Sequence, residues 1–210
     1  MRLRHLLLGS LAAVALAQDA AAATIWNEAV DSDLSSVRSA PTALAVVLGT
    51  NSVSGSVTST DRDYFRITIP AGAALSRIDL AAYGTANLAF FAIQSGTQIT
   101  VDPAAATAAP LLGYVHTASG LVGTNILDDM STGAGAMGFT PPLGPGDYSF
   151  WMQQTNPVLT SYTFDIVIVP EPSAGALLGT GLAGLAVARR RAVPKIGLSP
   201  DRPGKKPSRS

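Results

Sequence analysis

Between Thr24 and Val169 apolar residues recur at every second position in short stretches, and Gly, Pro, Ser, Asn and Asp separate those stretches. Tyr64–Ile69 is the clearest case: Phe65, Ile67 and Ile69 share one face, and Tyr64, Arg66 and Thr68 the other. Asp147–Gln153 sets Tyr148, Phe150 and Met152 against Ser149, Trp151 and Gln153. Ser161–Val169 puts Tyr162, Phe164, Ile166 and Ile168 on one face. Leu75–Leu80 turns Leu75, Ile78 and Leu80 inward with a less regular spacing, and Asn87–Ile93 is apolar enough for a central strand. Thr42–Leu48, Ser52–Val57 and Leu111–His116 complete the main set, with short candidates at Gln98–Val101 and Leu121–Ile126. Asp102–Ala109 reads as a loop or weak helix, and Gly120–Gly138 is rich in glycine and other small residues. Eight or so short strands with Gly/Pro turns predict an all-β domain over 24–169, an antiparallel, jelly-roll-like β-sandwich. Its 146 residues are enough to bury a core.

The two ends follow another pattern. Arg2, Arg4 and His5 precede the apolar run Leu6–Ala17, which ends in Ala15-Leu16-Ala17. A basic start, an apolar run and a small-x-small ending predict a signal peptide over 1–17, cut between Ala17 and Gln18. Ala21-Ala22-Ala23 before Thr24 offers a second cut. Near the other end, Ser173–Ala188 runs sixteen residues without a charge, between Pro172 and Arg189-Arg190-Arg191. As a helix it would be about 24 Å long at 1.5 Å per residue, a short transmembrane helix against a hydrocarbon core of about 30 Å. The arginines would stop transfer and orient it, leaving the body outside. Residues 192–210 are rich in Pro, Lys, Arg and Ser and read as a disordered, basic cytoplasmic tail.

Charge sharpens this division. The formal net charge is zero, yet 18–188 holds four basic residues against thirteen acidic ones, while 189–210 holds eight basic against Asp201. An acidic body with basic ends suits export and disfavours nucleic-acid binding. With no cysteine in the chain, disulfides, Cys-ligated metals and a cysteine nucleophile are excluded.

The string Val169–Ala192 resembles the PEP-CTERM sorting signal of Gram-negative bacteria. Its parts are Pro170-Glu171-Pro172, the apolar run Ser173–Ala188 and the cluster Arg189–Arg191. The resemblance implies processing near the Pro-Glu-Pro by an exosortase-type membrane transpeptidase after transient insertion in the inner membrane. It also implies release to the cell surface or exterior, and an association with exopolysaccharide and biofilm matrix. In the family the arginine cluster usually closes the chain, whereas here residues 192–210 follow it. The body resembles, more distantly, the pre-peptidase C-terminal type of β-sandwich. The matching residues are Asp61-Arg62-Asp63-Tyr64-Phe65, Pro70-Ala71-Gly72, Leu143-Gly144-Pro145-Gly146-Asp147-Tyr148 and Tyr162-Thr163-Phe164. That likeness implies a secreted accessory module without catalytic activity, some members of which bind polysaccharide or calcium.

Chemistry within the body is sparse. His116 is its sole histidine and lacks a nucleophile elbow nearby, so a Ser-His-Asp hydrolase is the least favoured reading. Asp31/Asp33, Asp61/Asp63 and Asp128/Asp129 are close carboxylate pairs. Asp61 and Asp63, in a turn before a strand, are the best candidates for calcium; the alternative is a solvated turn held by Asp side-chain bonds, with no cofactor. Trp26, Trp151, Tyr83 and Tyr114 are candidates for stacking on sugar rings, or else for core packing. The sequence thus favours a non-enzymatic exported surface or matrix protein. A carbohydrate-binding or adhesive module is the alternative.

Overall fold

The computed structural model describes residues 21–104 and 107–171. Among them nine strands form two sheets. The strands are β1 (Ala23–Asn27), β2 (Thr42–Leu44), β3 (Gly49–Val57), β4 (Arg62–Ile69) and β5 (Ala73–Tyr83), then β6 (Ala89–Ser95), β7 (Gly113–Thr117), β8 (Gly146–Gln154) and β9 (Thr160–Pro170). One sheet has the order β1-β3-β9-β5, the other β2-β4-β8-β6-β7. Two four-residue helices, α1 (Glu28–Asp31) and α2 (Leu127–Met130), and a 3-10 turn at Ser119–Leu121 lie between strands.

The expected all-β class holds, but the wholly antiparallel, jelly-roll-like sandwich is corrected, because both sheets are mixed. β1 runs parallel to β3, and β2 parallel to β4. The chain passes from one sheet to the other and back between the members of each pair. Such a crossover can return in the same direction, which a tight hairpin cannot. The other pairings are antiparallel.

Strand alternation builds the shared core. Phe65, Ile67 and Ile69 of β4 are buried with Phe91 and Ile93 of β6 and Phe150 and Met152 of β8. The other sheet answers with Val53, Val57, Leu75, Ile78, Leu80, Phe164, Ile166 and Ile168. Phe164 reaches across, its ring centroid 4.1 Å from that of Phe91, and Phe65 and Phe150 stack at 4.9 Å. The irregular spacing in β5 has a local cause. Its register with β9 shifts between Leu75 and Arg77, so Leu75 and Ile78, three residues apart, face the same side.

A second apolar cluster covers the outer face of the five-stranded sheet. It joins Tyr64, Ala92 and Trp151 to Ile99, Val101 and Leu111, with Phe90, Ala108, Tyr114 and Ala136 packed beside them. This is why Gln98–Val101 is not a strand: Ile99 and Val101 are buried as a cover over the sheet. Leu121–Ile126 is not a strand either; Gly123 takes a φ of +83°, and Ile126, Leu127 and Met130 enter the main core around α2.

The transmembrane helix expected at 173–188 has no counterpart among the described residues. No helix among the described residues is long and apolar enough to cross a membrane. The segment itself lies outside the described residues, as do the expected signal peptide 1–17, the expected Ala17–Gln18 cut and the tail 192–210.

Candidate functional site

Three regions carry the residues singled out by chemistry. The first is acidic. Period-two alternation in β4 sends Asp63 to the same side as Phe65 and Ile67, toward the opposite sheet, and its residue is 0% exposed. There Tyr162 of β9, also buried, donates its hydroxyl proton to Asp63 Oδ2 at 2.6 Å. Asp63 Oδ1 is buried and has no hydrogen-bond partner among the described residues.

The segment after β1 brings two more carboxylates. Asn27 caps α1 by accepting from the Ala29 N–H, which starts the helix at Glu28. Glu28 then folds back over the sheet: Oε1 accepts from the Leu34 N–H at 3.1 Å and Oε2 from the Ser56 N–H at 2.7 Å. Glycine at position 55 makes this approach feasible. A Cβ there would stand 2.7 Å from Glu28 Cδ and 2.7 Å from the Tyr162 hydroxyl. Asp33, exposed, completes the group. Glu28, Asp33 and Asp63 each place a carboxylate oxygen within 4.8 Å of the other two. Glu28, Asp33 and Tyr162 line a cleft of about 500 Å³ with Asn27, Ser54 and Ser161.

The electrostatics follow from burial and like charge. Desolvation pushes the Asp63 carboxyl up to about 8, against the stabilising hydrogen bond from Tyr162; Glu28 and nearby acids push the same way as burial. Burial likewise raises Glu28 and Asp61, and Asp33 adds to both. The Tyr162 phenol, buried and beside Asp63, is held well above its ordinary value.

The sequence reading paired Asp63 with Asp61. The structure instead groups Asp63 with Glu28 and Asp33, leaving Asp61 as a neighbour felt through charge. Glu28 was missed because its position depends on the parallel docking of β1 on β3. The parity of Asp63 with Phe65 was the available sign that this aspartate points inward. Asp128 sits apart, accepting from Asn125 Nδ2 at 3.0 Å near α2, and Asp31 accepts from the Asn27 N–H.

The second region is aromatic. A pocket of about 380 Å³ on the outer face of the five-stranded sheet is lined by Phe90, Tyr114, His116, Trp151, Gln153 and Thr155, among others. Phe90 anchors it, with centroids 4.8 Å from Trp151 and 5.2 Å from Tyr114. Trp151 is nearly buried, and its indole N–H lacks a hydrogen-bond partner among the described residues. His116 lies edge-on to Tyr114, in the company of rings rather than of a serine and an aspartate. The other stacking candidates lie elsewhere: Trp26 and Tyr83 pack against the main core, and the Tyr83 hydroxyl donates to the Asn87 carbonyl at 2.8 Å.

The third region is the end of β9. Pro170 pairs with Ala73 as the last residue of that strand, and the Glu171 N–H donates to the Gly72 carbonyl at 2.8 Å. Both residues are exposed. Pro172, Arg189, Arg190 and Arg191 lie outside the described residues. Comparison with curated proteins and with solved structures returns no match. Among protein families, the PEP-CTERM protein-sorting motif matches residues 169–191. The chain therefore carries, from the last residues of β9 onward, a sorting signal that supports export and is consistent with a substrate of an exosortase system.

Proposed function

We propose that the chain is a non-enzymatic surface or extracellular-matrix protein, delivered through its C-terminal sorting signal. The carrying observation is the match over 169–191, whose Pro-Glu-Pro begins where β9 ends. An exosortase-type transpeptidase would act at Pro170-Glu171-Pro172, where Pro170, the last residue of β9, and Glu171 are exposed. Cutting there would leave β9 paired on both sides within its sheet. The likeness of Asp61–Phe65 and Pro70–Gly72 to the pre-peptidase C-terminal domain supports a secreted accessory module over 24–169.

The test is replacement of Pro170, Glu171 and Pro172 by alanine, followed by fractionation of cells and medium. The reading expects a longer, cell-associated precursor. Wild-type delivery and length of the replaced protein would remove it.

A second reading, carbohydrate binding, is favoured by the aromatic pocket, which half-buried Phe90 and Tyr114 line together with Trp151, Gln153 and Thr155. Pull-down on the producer's exopolysaccharide, compared with Tyr114→Ala, tests it. Equal retention of both proteins would count against the pocket.

A further inference from the structure

We propose that the end of the domain from which β9 leaves, led by Val47 and Leu48, seats on a lipid bilayer and holds Pro170-Glu171-Pro172 at the membrane surface. The proposal rests on the reading of 169–191 as a sorting signal met at a membrane. Strand register defines this end. Gly49, which opens β3, pairs with Ile168, Ala73 of β5 with Pro170, and Gly146 of β8 with Ile69. The Glu171 N–H is tied to the Gly72 carbonyl at 2.8 Å. β1 begins here too, since Ala23 pairs with Asn51. The residues that precede β1 and those that follow β9 therefore join the domain at the same end.

Three connections meet at this end without a charge. Residues 45–48 between β2 and β3 are Ala-Val-Val-Leu, 70–72 between β4 and β5 are Pro-Ala-Gly, and 139–145 ahead of β8 are Phe-Thr-Pro-Pro-Leu-Gly-Pro. The connection after β6 turns away over the outer face of the five-stranded sheet, where Ile99 and Val101 are buried. Glu28 and Asp33 lie at the opposite end, in the cleft they share with Ser56 and Ser161. An acidic body approaching an anionic lipid surface is repelled least through its uncharged end. Val47 and Leu48 are 53% and 59% exposed there, on a braced turn. Buried Asn51 accepts from the Val47 N–H at 2.8 Å and donates to the carbonyls of Val47 and Gly49 at 2.8 and 3.0 Å. Gly49 reverses the chain with a φ of +100°. Two apolar side chains fixed outward in this way suit the boundary of headgroups and acyl chains, where apolar residues sink roughly 5–10 Å.

The length of chain beyond β9 says what covers this end. The uncharged run starts at Ser173, two residues after Glu171. Two residues span about 7 Å at most. The headgroup layer is roughly 5–7 Å thick on each side of the hydrocarbon core. A bilayer that receives the run from Ser173 onward thus has its headgroups against the turn at Val47 and Leu48. Exposed apolar residues at the other end have no such tether. Leu159 is 63% exposed, but it lies at the far end of β9, whose 11 residues extend roughly 35 Å.

The test uses the full chain. It has no cysteine, so one introduced thiol carries one environment-sensitive dye. Leu48→Cys and Leu159→Cys are labelled separately; both leucines are exposed, so neither label disturbs the core. Each protein is mixed with vesicles of phosphatidylethanolamine and phosphatidylglycerol, with and without nitroxide-bearing lipid. The dye at 48 should shift to the blue and be quenched by the nitroxide lipid. The dye at 159 should keep its aqueous emission. Val47→Asp in the chain labelled at 48 should remove most of the quenching while the chain still floats with the vesicles. Flotation without quenching at 48, equal quenching at 48 and 159, or quenching undiminished by Val47→Asp would each overturn the docking and leave the sorting signal standing. A chain that does not float overturns the docking together with the membrane step on which it rests.

Discussion

The burial of Asp63 makes a quantitative prediction about stability and pH. Its carboxyl titrates near 8 in the folded chain, against an ordinary 3.8. Between those values the folded state holds a proton that the unfolded state has lost. Stability from this group is therefore complete below about pH 4 and falls as pH rises toward 8. From pH 4 to pH 7 the loss is about three units, or roughly 4 kcal/mol at 1.36 kcal/mol per unit. For a domain of this size that is roughly 10 °C in melting temperature. Asp63→Asn removes the titration while keeping an oxygen to accept from Tyr162. In chelator the two proteins should melt alike at pH 4, and the variant should be the more stable at pH 7. Thermal melts followed by circular dichroism, at pH 4, 5.5 and 7, read all of this. A variant less stable than the wild type at pH 7 in chelator, or one with the same pH slope, would refute the argument.

Other outcomes follow from the packing. Gly55→Ala forces a Cβ against Glu28 and the Tyr162 hydroxyl and should cost about 1–3 kcal/mol by urea denaturation; a neutral result would mean Glu28 is not docked as described. Phe164→Ala removes the ring that bridges the sheets and should cost about 3–5 kcal/mol in the same assay, with a loss under 1 kcal/mol speaking against the shared core. Stopping the chain after Glu171 should leave the melting temperature unchanged, since the strands end at Pro170. Stopping after Leu159 removes the strand between β3 and β5 and should abolish cooperative unfolding.

Much of this fold was legible because strand burial is written with period two. The alternation in Tyr64–Ile69, Asp147–Gln153 and Ser161–Val169 marked β4, β8 and β9, together with their inward faces. β1 escaped notice because Ala23–Asn27 is short, half-buried and continuous with the alanine run Ala20–Ala23. The parallel placement of β1 and β2 depends on crossovers between sheets, which local pattern does not encode. Ile99 and Val101 misled for a related reason: alternation shows that residues are buried, not whether they pair or merely cover a sheet. The acidic site was half legible. Asp63 stood out by type, but Glu28 and Asp33 join it only through the docking of the segment after β1. The sorting signal was the most legible feature, because its information is linear: a motif, an apolar run and a charge cluster in fixed order.

The central claim is that this chain is delivered and cut at that signal. Mass spectrometry of the mature protein, from cells with the transpeptidase and from cells lacking it, tests the claim most directly. The account predicts a product ending near Pro170–Pro172 in the first case and a product that retains 189–210 in the second. A C-terminus at Ser210 in both strains, with the protein equally well exported, would contradict it.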